Sequence, residues 1–334
     1  MTRDLLSDVL RAVRLRGAVF FDVSGSSDWA AEAPPGKELA PLLMPGVDHV
    51  MEYHAVAQGS CWAGILGGPA VQLHAGDVVL FPHGDAHVVS SAPGMRGNRD
   101  EVNQIADVEV DRLPLQLAYS GQGLLYPKPE DSDADVTIVC GFLGCDVHPF
   151  NPLIAALPRM LHLRASDDDG WLAGFARQAV AESRAHRPGG EAMLARMSEM
   201  MFVNAVRRYA SQLPEQSAGW LAGLNDRFVG RALALMHEQP AQPWTVDEIG
   251  RRVGLSRSAL HERFVQLIGA PPMQYLAHWR MQAAARMLLE TRATVTSIAL
   301  DVGYDSEAAF ARAFKRAVGK PPAAWRRERE NGAG

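Results

Sequence analysis

The chain has 334 residues, 47% hydrophobic and 21% charged, with a net charge of −5 and three cysteines. This length suggests two domains, and the composition is that of a soluble globular protein able to bury real cores. No apolar run nears the roughly 20 residues that span a bilayer, residues 1–16 are too charged for a secretory signal, and three cysteines make no disulfide scaffold, so a cytoplasmic protein without a membrane segment is expected.

Residues 1 to about 150 are rich in Gly, Pro and short apolar runs, at 47–56, 60–66, 77–81, 87–90 and 136–142, and the texture changes from about Asn151. That spacing predicts a β-sandwich or barrel. The stretch 92–109 is polar and charged and reads as a long surface loop. From 166 to 212 the texture is helical: 168–186 and 191–212 carry Ala, Leu, Met and Val at helical spacing, separated by Pro188-Gly189-Gly190. They read as an antiparallel pair. Met193, Met197, Met200 and Met201 on the second helix serve either a core or a dimer face. Residues 213–224, with Pro214 and Gly219, read as a linker. Residues 225–330 are helical throughout. From Asn225 onward there are 16 Lys+Arg against 11 Asp+Glu, whereas the preceding residues hold 17 against 27. A basic tail on an acidic body suits a nucleic-acid-binding module, though such a surface is also ordinary.

That tail repeats itself. Ile249, Val253-Gly254, Ser256, Leu260, Phe264, Gly269 and Pro272 return as Ile298, Val302-Gly303, Asp305, Phe310, Phe314, Gly319 and Pro322. Gly254 and Gly303 are 49 apart, Phe264 and Phe314 are 50 apart, so one residue is added between turn and helix. Each copy reads as a short helix, a glycine able to turn the chain left-handed, a capping Ser256 or Asp305, and a second helix. Its apolar pair sits at i, i+4 and its opposite face is polar. Such a unit is a helix-turn-helix. A continuous helix over 273–289 joins the two copies, whose second helices would then enter successive major-groove segments roughly 34 Å apart. A helical repeat acting as a scaffold is the alternative without DNA.

On these residues, and on Tyr304, Lys315 and Arg326, the segment from about 225 to 327 resembles the DNA-binding domain of the AraC/XylS family of transcription regulators. The resemblance implies that the second helix of each unit reads base edges: Ser258, His261 and Glu262 in the first, Glu307, Ala308 and Arg312 in the second. Arg257, Ser306 and Lys315 stand where phosphate contacts position such a domain. Glu262 replaces a frequent arginine and would accept from a cytosine amino group rather than read guanine, while Ala308 offers apolar contact, as to a thymine methyl.

In the N-terminal half, Gly76, Pro82, Gly84 and His87 fit G-x5-P-x-G-x2-H, which resembles the second motif of the cupin superfamily. Glu52 and Gly59 fit the end of its first motif. The expected His-x-His before Glu52 is missing, with only His49 and His54 nearby, so the ligand set of metal-dependent cupins falls short. No metal and no cofactor are expected. The half resembles the cupin-type sensor domains fused to AraC-type tails, which implies a sensing barrel. Its candidate effector or sensor residues are His54, Trp62, His87, Cys140 and Cys145. Cys140, Cys145 and His148 admit packing, redox sensing by a thiol pair, or a zinc site, and Cys140 could instead join His54 and His87 if all three point inward. Cys61 reads as packing.

The expected fold is thus α+β multidomain: a cupin-like β-barrel (1–165), a helical pair serving dimerisation (166–212), a linker (213–224) and an all-α double helix-turn-helix domain (225–330). The expected function is a sequence-specific transcription regulator, an activator rather than an enzyme, sensing a small molecule or an oxidant. Expected partners are double-stranded DNA, RNA polymerase by family resemblance, and a second copy of the chain. The alternative is a metal-dependent cupin enzyme with a helical appendage.

Overall fold

The computed structural model describes residues 4–98, 101, 114–126, 128, 134–167, 170–214 and 216–331. They pack as two units. One comprises Leu15–Cys145 and Leu157–Arg207; the other comprises Met1–Arg14, Asp146–Ala156 and Arg208–Gly334.

The first unit is the expected β domain, with its strands in two facing sheets rather than a closed barrel. Its strands are β1 (Arg16–Gly25), β2 (Ala30–Ala33), β3 (His49–Gln58), β4 (Ser60–Ile65), β5 (Val71–His74), β6 (Val78–Phe81), β7 (His87–Ser90), β8 (Leu115–Ser120), β9 (Gly123–Leu125), β10 (Val136–Cys145) and β11 (Leu161–Leu163). Among the described residues the larger sheet runs β11-β6-β3-β10-β1-β8-β9 and the smaller β2-β7-β4-β5. The five apolar runs all become strands. Of the polar stretch 92–109, residues 99, 100 and 102–109 lie outside the described residues.

Both faces of β3 and β10 are buried, and alternation assigns their side chains to two different jobs. Val56 and Ile138 point between the sheets, packing with Val23, Leu117, Cys61, Leu73 and Val89. Tyr53 points the other way, onto the helix pair. Its ring lies 6.1 Å from that of Phe175 and its hydroxyl 2.6 Å from Ser198 Oγ. Those helices, Trp171–Ala185 and Gly190–Gln212, are tied further to the large sheet by the Arg184–Asp22 ion pair and by Glu199, which accepts from the Gly17 amide. The pair is therefore packed into the first unit as a layer, not set apart as a separate region.

The second unit is helical: α1 (Leu5–Ala12), α3 (Pro152–Ala156), α6 (Trp220–Asn225), α7 (Val229–Glu238), α8 (Val246–Val253), α9 (Arg257–Ile268), α10 (Pro272–Glu290), α11 (Val295–Asp301), α12 (Glu307–Val318) and α13 (Pro322–Asn331), where α2 is Gly36–Leu43 of the first unit and α4 and α5 are the paired helices. The segment expected as linker contains α6. Trp220 on it is buried and donates from Nε1 to the Tyr275 hydroxyl. The apolar residues of that segment dock, whereas Pro214 and Gly219 only break the chain on either side.

Helix α10 serves two cores. Tyr275, Leu276 and Trp279 are buried towards the first helix-turn-helix, where the Phe264 ring meets Tyr275 at 5.8 Å and His237 stacks on Trp279 at 3.7 Å. One turn on, Met281, Ala284, Ala285 and Leu288 pack with Ile298, Val302, Phe310, Phe314 and Trp325 of the second. Both turns are left-handed at glycine, with φ +85° at Gly254 and at Gly303. Ser256 Oγ accepts from the Ala259 amide at 3.2 Å, as expected of a cap. In the second copy the cap is Ser306, whose Oγ accepts from the Ala309 amide at 3.2 Å. Asp305 is not the cap, because the added residue lengthens the second turn by one and moves the capping position with it.

Two segments that the sequence places with the barrel belong to this unit instead. Gln282, fully buried on α10, donates from Nε2 to the Ala12 carbonyl at 2.7 Å and accepts through Oε1 from the Phe150 amide at 3.0 Å. Asp146 forms a bidentate pair with Arg14 and reaches Arg329 at 3.3 Å.

Two outcomes are expected. Gln282→Leu strands one carbonyl and one amide and lowers the stability of the helical unit by about 1–3 kcal/mol, read from a chemical denaturation curve. Ser306→Ala costs about 1 kcal/mol in the same measurement, and Asp305→Ala less than about 0.5 kcal/mol; equal costs would contradict the cap assignment.

Candidate functional site

The second helix of each helix-turn-helix buries only one side. On α9, Leu260 and Phe264 are fully buried, while Arg257, Ser258, His261 and Glu262 are exposed. On α12, Phe310 and Phe314 are buried, while Glu307, Ala308, Arg312 and Lys315 are exposed. Both patterns follow from apolar residues at i, i+4 on an otherwise polar helix. Every nominated base or phosphate contact thus lies on a solvent face. Three of them are also engaged within the chain. Arg257 pairs with Asp247 at 3.6 Å, Glu307 accepts from the Thr296 hydroxyl, and Ser306 caps α12. Arg326 serves a different end: its guanidinium donates to the carbonyls of Leu288 and Ala293, closing the C-terminal end of α10.

The facing sheets of the first unit enclose a cavity of about 360 Å³. Phe21, Val23, Trp29, Val89, Leu117, Ile138 and Phe142 give it mostly apolar walls. Leu42, 62% exposed on α2, also lines it and marks its opening.

One end of the cavity is polar. Glu52 and His54 are two apart on β3 and therefore point inward together; their partners across the strand pair are Phe142 and Cys140 on β10. His87 arrives from β7 in the opposite sheet. The His54 and His87 Nε2 atoms lie 2.7 Å apart, Glu52 Oε2 is 3.5 Å from His87 Nε2, and Cys140 Sγ is 3.0 Å from His54 Nδ1. His87 Nδ1 is held by the Asp85 carbonyl at 2.8 Å, and its ring stacks on Phe81 at 3.7 Å. Burial dominates the electrostatics here. It pushes the Glu52 carboxyl up to about 8, His87 down to about 4, His54 well below the usual imidazole range and the Cys140 thiol well above the usual thiol range. For each of these groups burial thus disfavours the charged form.

The sensor residues named from sequence divide accordingly. His54, His87 and Cys140 line the cavity; Trp62 and Cys145 are not among its lining residues. Trp62 lies next to Cys61 on β4 and so faces away from the core that Cys61 enters. Cys145 lies five residues beyond Cys140, an odd step that puts it on the other face of β10. Cys140 and Cys145 thus lie on opposite faces of β10, and the three cysteines are free of disulfides. Cys61 is core, as expected, with its thiol pushed up to about 12 by burial. Glu52, which fits the end of the first cupin motif, is not among the sensor residues expected from the sequence. The signal that finds it is the Glu-x-His step at 52 and 54, which in a strand aims two donors at one point. The donor atoms of Glu52, His54 and His87 lie within 4.8 Å of one another.

Comparison with known proteins assigns both units. A Cupin family model matches residues 4–211, and a Helix-turn-helix domain model matches residues 249–328. An AraC-like transcription regulator of Streptomyces lividans is 30% identical over 328 residues, covering 97% of this chain and 98% of its own. The RCS-specific HTH-type transcriptional activator RclR of Escherichia coli K12 is 27% identical over 326 residues, covering 97% of each. Among solved structures, the DNA-binding domain of AdpA in complex with a target DNA is 27% identical and covers 32% of this chain and 96% of its own, with a TM-score of 0.30. Because regulators of this type match nearly its whole length, the chain belongs to the AraC-like transcription regulators, carrying a cupin domain ahead of a DNA-binding helix-turn-helix domain.

Proposed function

We propose that this regulator reads DNA through the exposed faces of α9 and α12 and that a small, largely apolar molecule entering the cupin cavity controls it. The observation that carries the DNA reading is the pair of capped helices, each buried on one side at a Leu or Phe pair and polar on the other. Ser258, His261, Glu262, Ala308 and Arg312 contact base edges, with Glu307 released from Thr296 to join them. Arg257, Ser306 and Lys315 contact phosphates.

For the effector, a cavity of about 360 Å³ with apolar walls and one polar end has the form of a small-molecule site. An oxidant is the weaker candidate, since sensing thiols react as thiolates and burial keeps Cys61 and Cys140 protonated. The protein acts by binding rather than catalysis, in keeping with relatives that are regulators. Activation through RNA polymerase in the cytoplasm accords with the family; among the described residues no helix is long and apolar enough to cross a membrane. A second copy would dock on the outer stripe of α5, where Met193 and Met200 are exposed and Met197 half-buried.

The test is binding to operator DNA recovered by genomic selection. His261→Ala and Arg312→Ala each weaken specific binding by about 1–3 kcal/mol and relax the preference at one base position. Lys315→Ala weakens binding to all sequences alike and lowers the salt slope by about one. Unchanged affinity and sequence preference in Arg312→Ala would show that α12 is not read in this register.

A further inference from the structure

We propose that Cys140 is a covalent capture site whose thiol adds to the β-carbon of an apolar α,β-unsaturated carbonyl compound. His54 acts as the base and Glu52 as the hydrogen-bond donor to the carbonyl oxygen. The inference rests on the effector reading above and names the chemical class that the cavity takes.

The hydrogen bonds around the thiol fix the direction of each proton. Burial favours neutral imidazoles at His54 and His87. The Asp85 carbonyl can only accept, so His87 donates to it from Nδ1 and presents a lone pair at Nε2. His54 then donates from Nε2 across the 2.7 Å to His87, which leaves its own lone pair on Nδ1. Cys140 Sγ lies 3.0 Å from that nitrogen and donates its S–H there. A thiol, a base within hydrogen-bond reach and a third group orienting the base make a nucleophile arrangement. His87 is the positioning residue, since it acts only through His54.

An independent observation points to a ligand. The Glu52 carboxyl is 4% exposed, lines the cavity and makes no hydrogen bond among the described residues. His87 Nε2 stands 3.5 Å from it but already accepts from His54. A buried polar group left in this way calls for a partner. Burial favours its protonated form, so it offers an O–H to an uncharged oxygen. A hydrocarbon body against Phe21, Val23, Ile138 and Phe142, with a carbonyl at the Glu52 end, meets both demands.

The addition balances without an oxidant. As the Sγ–C bond forms, the thiol proton passes to His54 Nδ1. The C=C electron pair moves towards the carbonyl oxygen, which takes the Glu52 proton. The enol becomes the ketone by moving that proton to the α-carbon, and His54 returns its proton to Glu52. The product is a neutral thioether, which an apolar cavity tolerates. The other ionisable groups around Sγ are acids that disfavour a standing thiolate: Glu52 on β3, Cys61 on β4, Asp22 on β1 and Tyr119 on β8. The thiol therefore reacts only as its proton leaves for His54.

The full-length protein, freed of metal with chelator and dialysed, is incubated with pentyl vinyl ketone and, in parallel, with the saturated ethyl pentyl ketone. The intact mass should rise by one vinyl ketone per chain, and peptide mapping should place it on Cys140. The wild-type rate should be flat with pH across the neutral range. His54→Gln should slow addition by about 100-fold or more and make the rate climb with pH, as for a thiol that must ionise first. His87→Leu should give the same climbing profile, and His87→Gln, whose amide oxygen accepts from His54 Nε2–H, should restore the flat one. Glu52→Ala should slow addition, and Glu52→Gln, which keeps a donor, should recover part of the rate. No adduct on the folded wild-type protein, or an adduct elsewhere with Cys140 free, would overturn the assignment. In that event a melting temperature raised by ethyl pentyl ketone leaves the effector reading intact, whereas no shift with either ketone counts against both. A flat profile in His54→Gln would overturn the role given to His54. Mapping on the wild-type protein needs no variant, so a variant that fails to fold does not remove the test.

Discussion

Several polar groups buried in this protein sit where segments far apart in the chain meet, and each of these meetings is held by hydrogen bonds that water can no longer supply. An unpaired polar group in such a place costs on the order of 1–3 kcal/mol, so the partners must arrive together or not at all. Tyr53 meets Ser198 between sheet and helix, His54 meets His87 between the two sheets, and Asp22 meets Arg184 at the outer sheet face. In the helical unit, Gln282 meets the backbone of Ala12 and Phe150. Apolar packing gives both units their bulk, but these pairs select one arrangement among the many that apolar side chains would tolerate.

The strands β3 and β10 show how a single alternation serves structure and site together. Their outward residues seat the helix layer, and their inward ones form both the apolar core and the polar end of the cavity. Exchanging a residue at 53 would disturb packing, whereas one at 54 would change the cavity's chemistry. Adjacent positions therefore face separate physical demands. The helical unit divides its labour along α10 in a similar way, with Tyr275 and Trp279 committed to one helix-turn-helix and Met281 to Leu288 to the other. A rigid shared helix fixes the two exposed faces with respect to each other without a direct contact between them.

Much of this was readable in the sequence. The duplicated turn, the i, i+4 apolar pairs, the helix over 273–289 and five strands follow from local periodicity and turn chemistry, and those signals are local by nature. What escaped was non-local. The apolar stretch 18–21 of β1 is too short for periodicity alone to separate it from a buried helix. The polar end of the cavity needs β3 and β7 brought face to face, and a motif search keyed to His-x-His passes over Glu52-x-His54. Alignment of the two copies at their glycines points to Asp305 rather than Ser306 as the cap, because the insertion falls just after. Segments 5–14 and 146–156 were placed by sequence neighbourhood, while their partners lie more than a hundred residues away.

That last placement bears on how such regulators can be recombined. A gene fusion cut between 213 and 224 would transplant α7 to α13 without the two earlier segments that complete their core. Gln282 would then present its amide to a surface built for the Ala12 carbonyl and the Phe150 amide, and Arg329 would lose Asp146. A working chimaera has to inherit the residues flanking β1 and β10 with the DNA-binding half, so the seam for domain exchange runs through the sensor's own chain and not through the stretch that looks like a hinge.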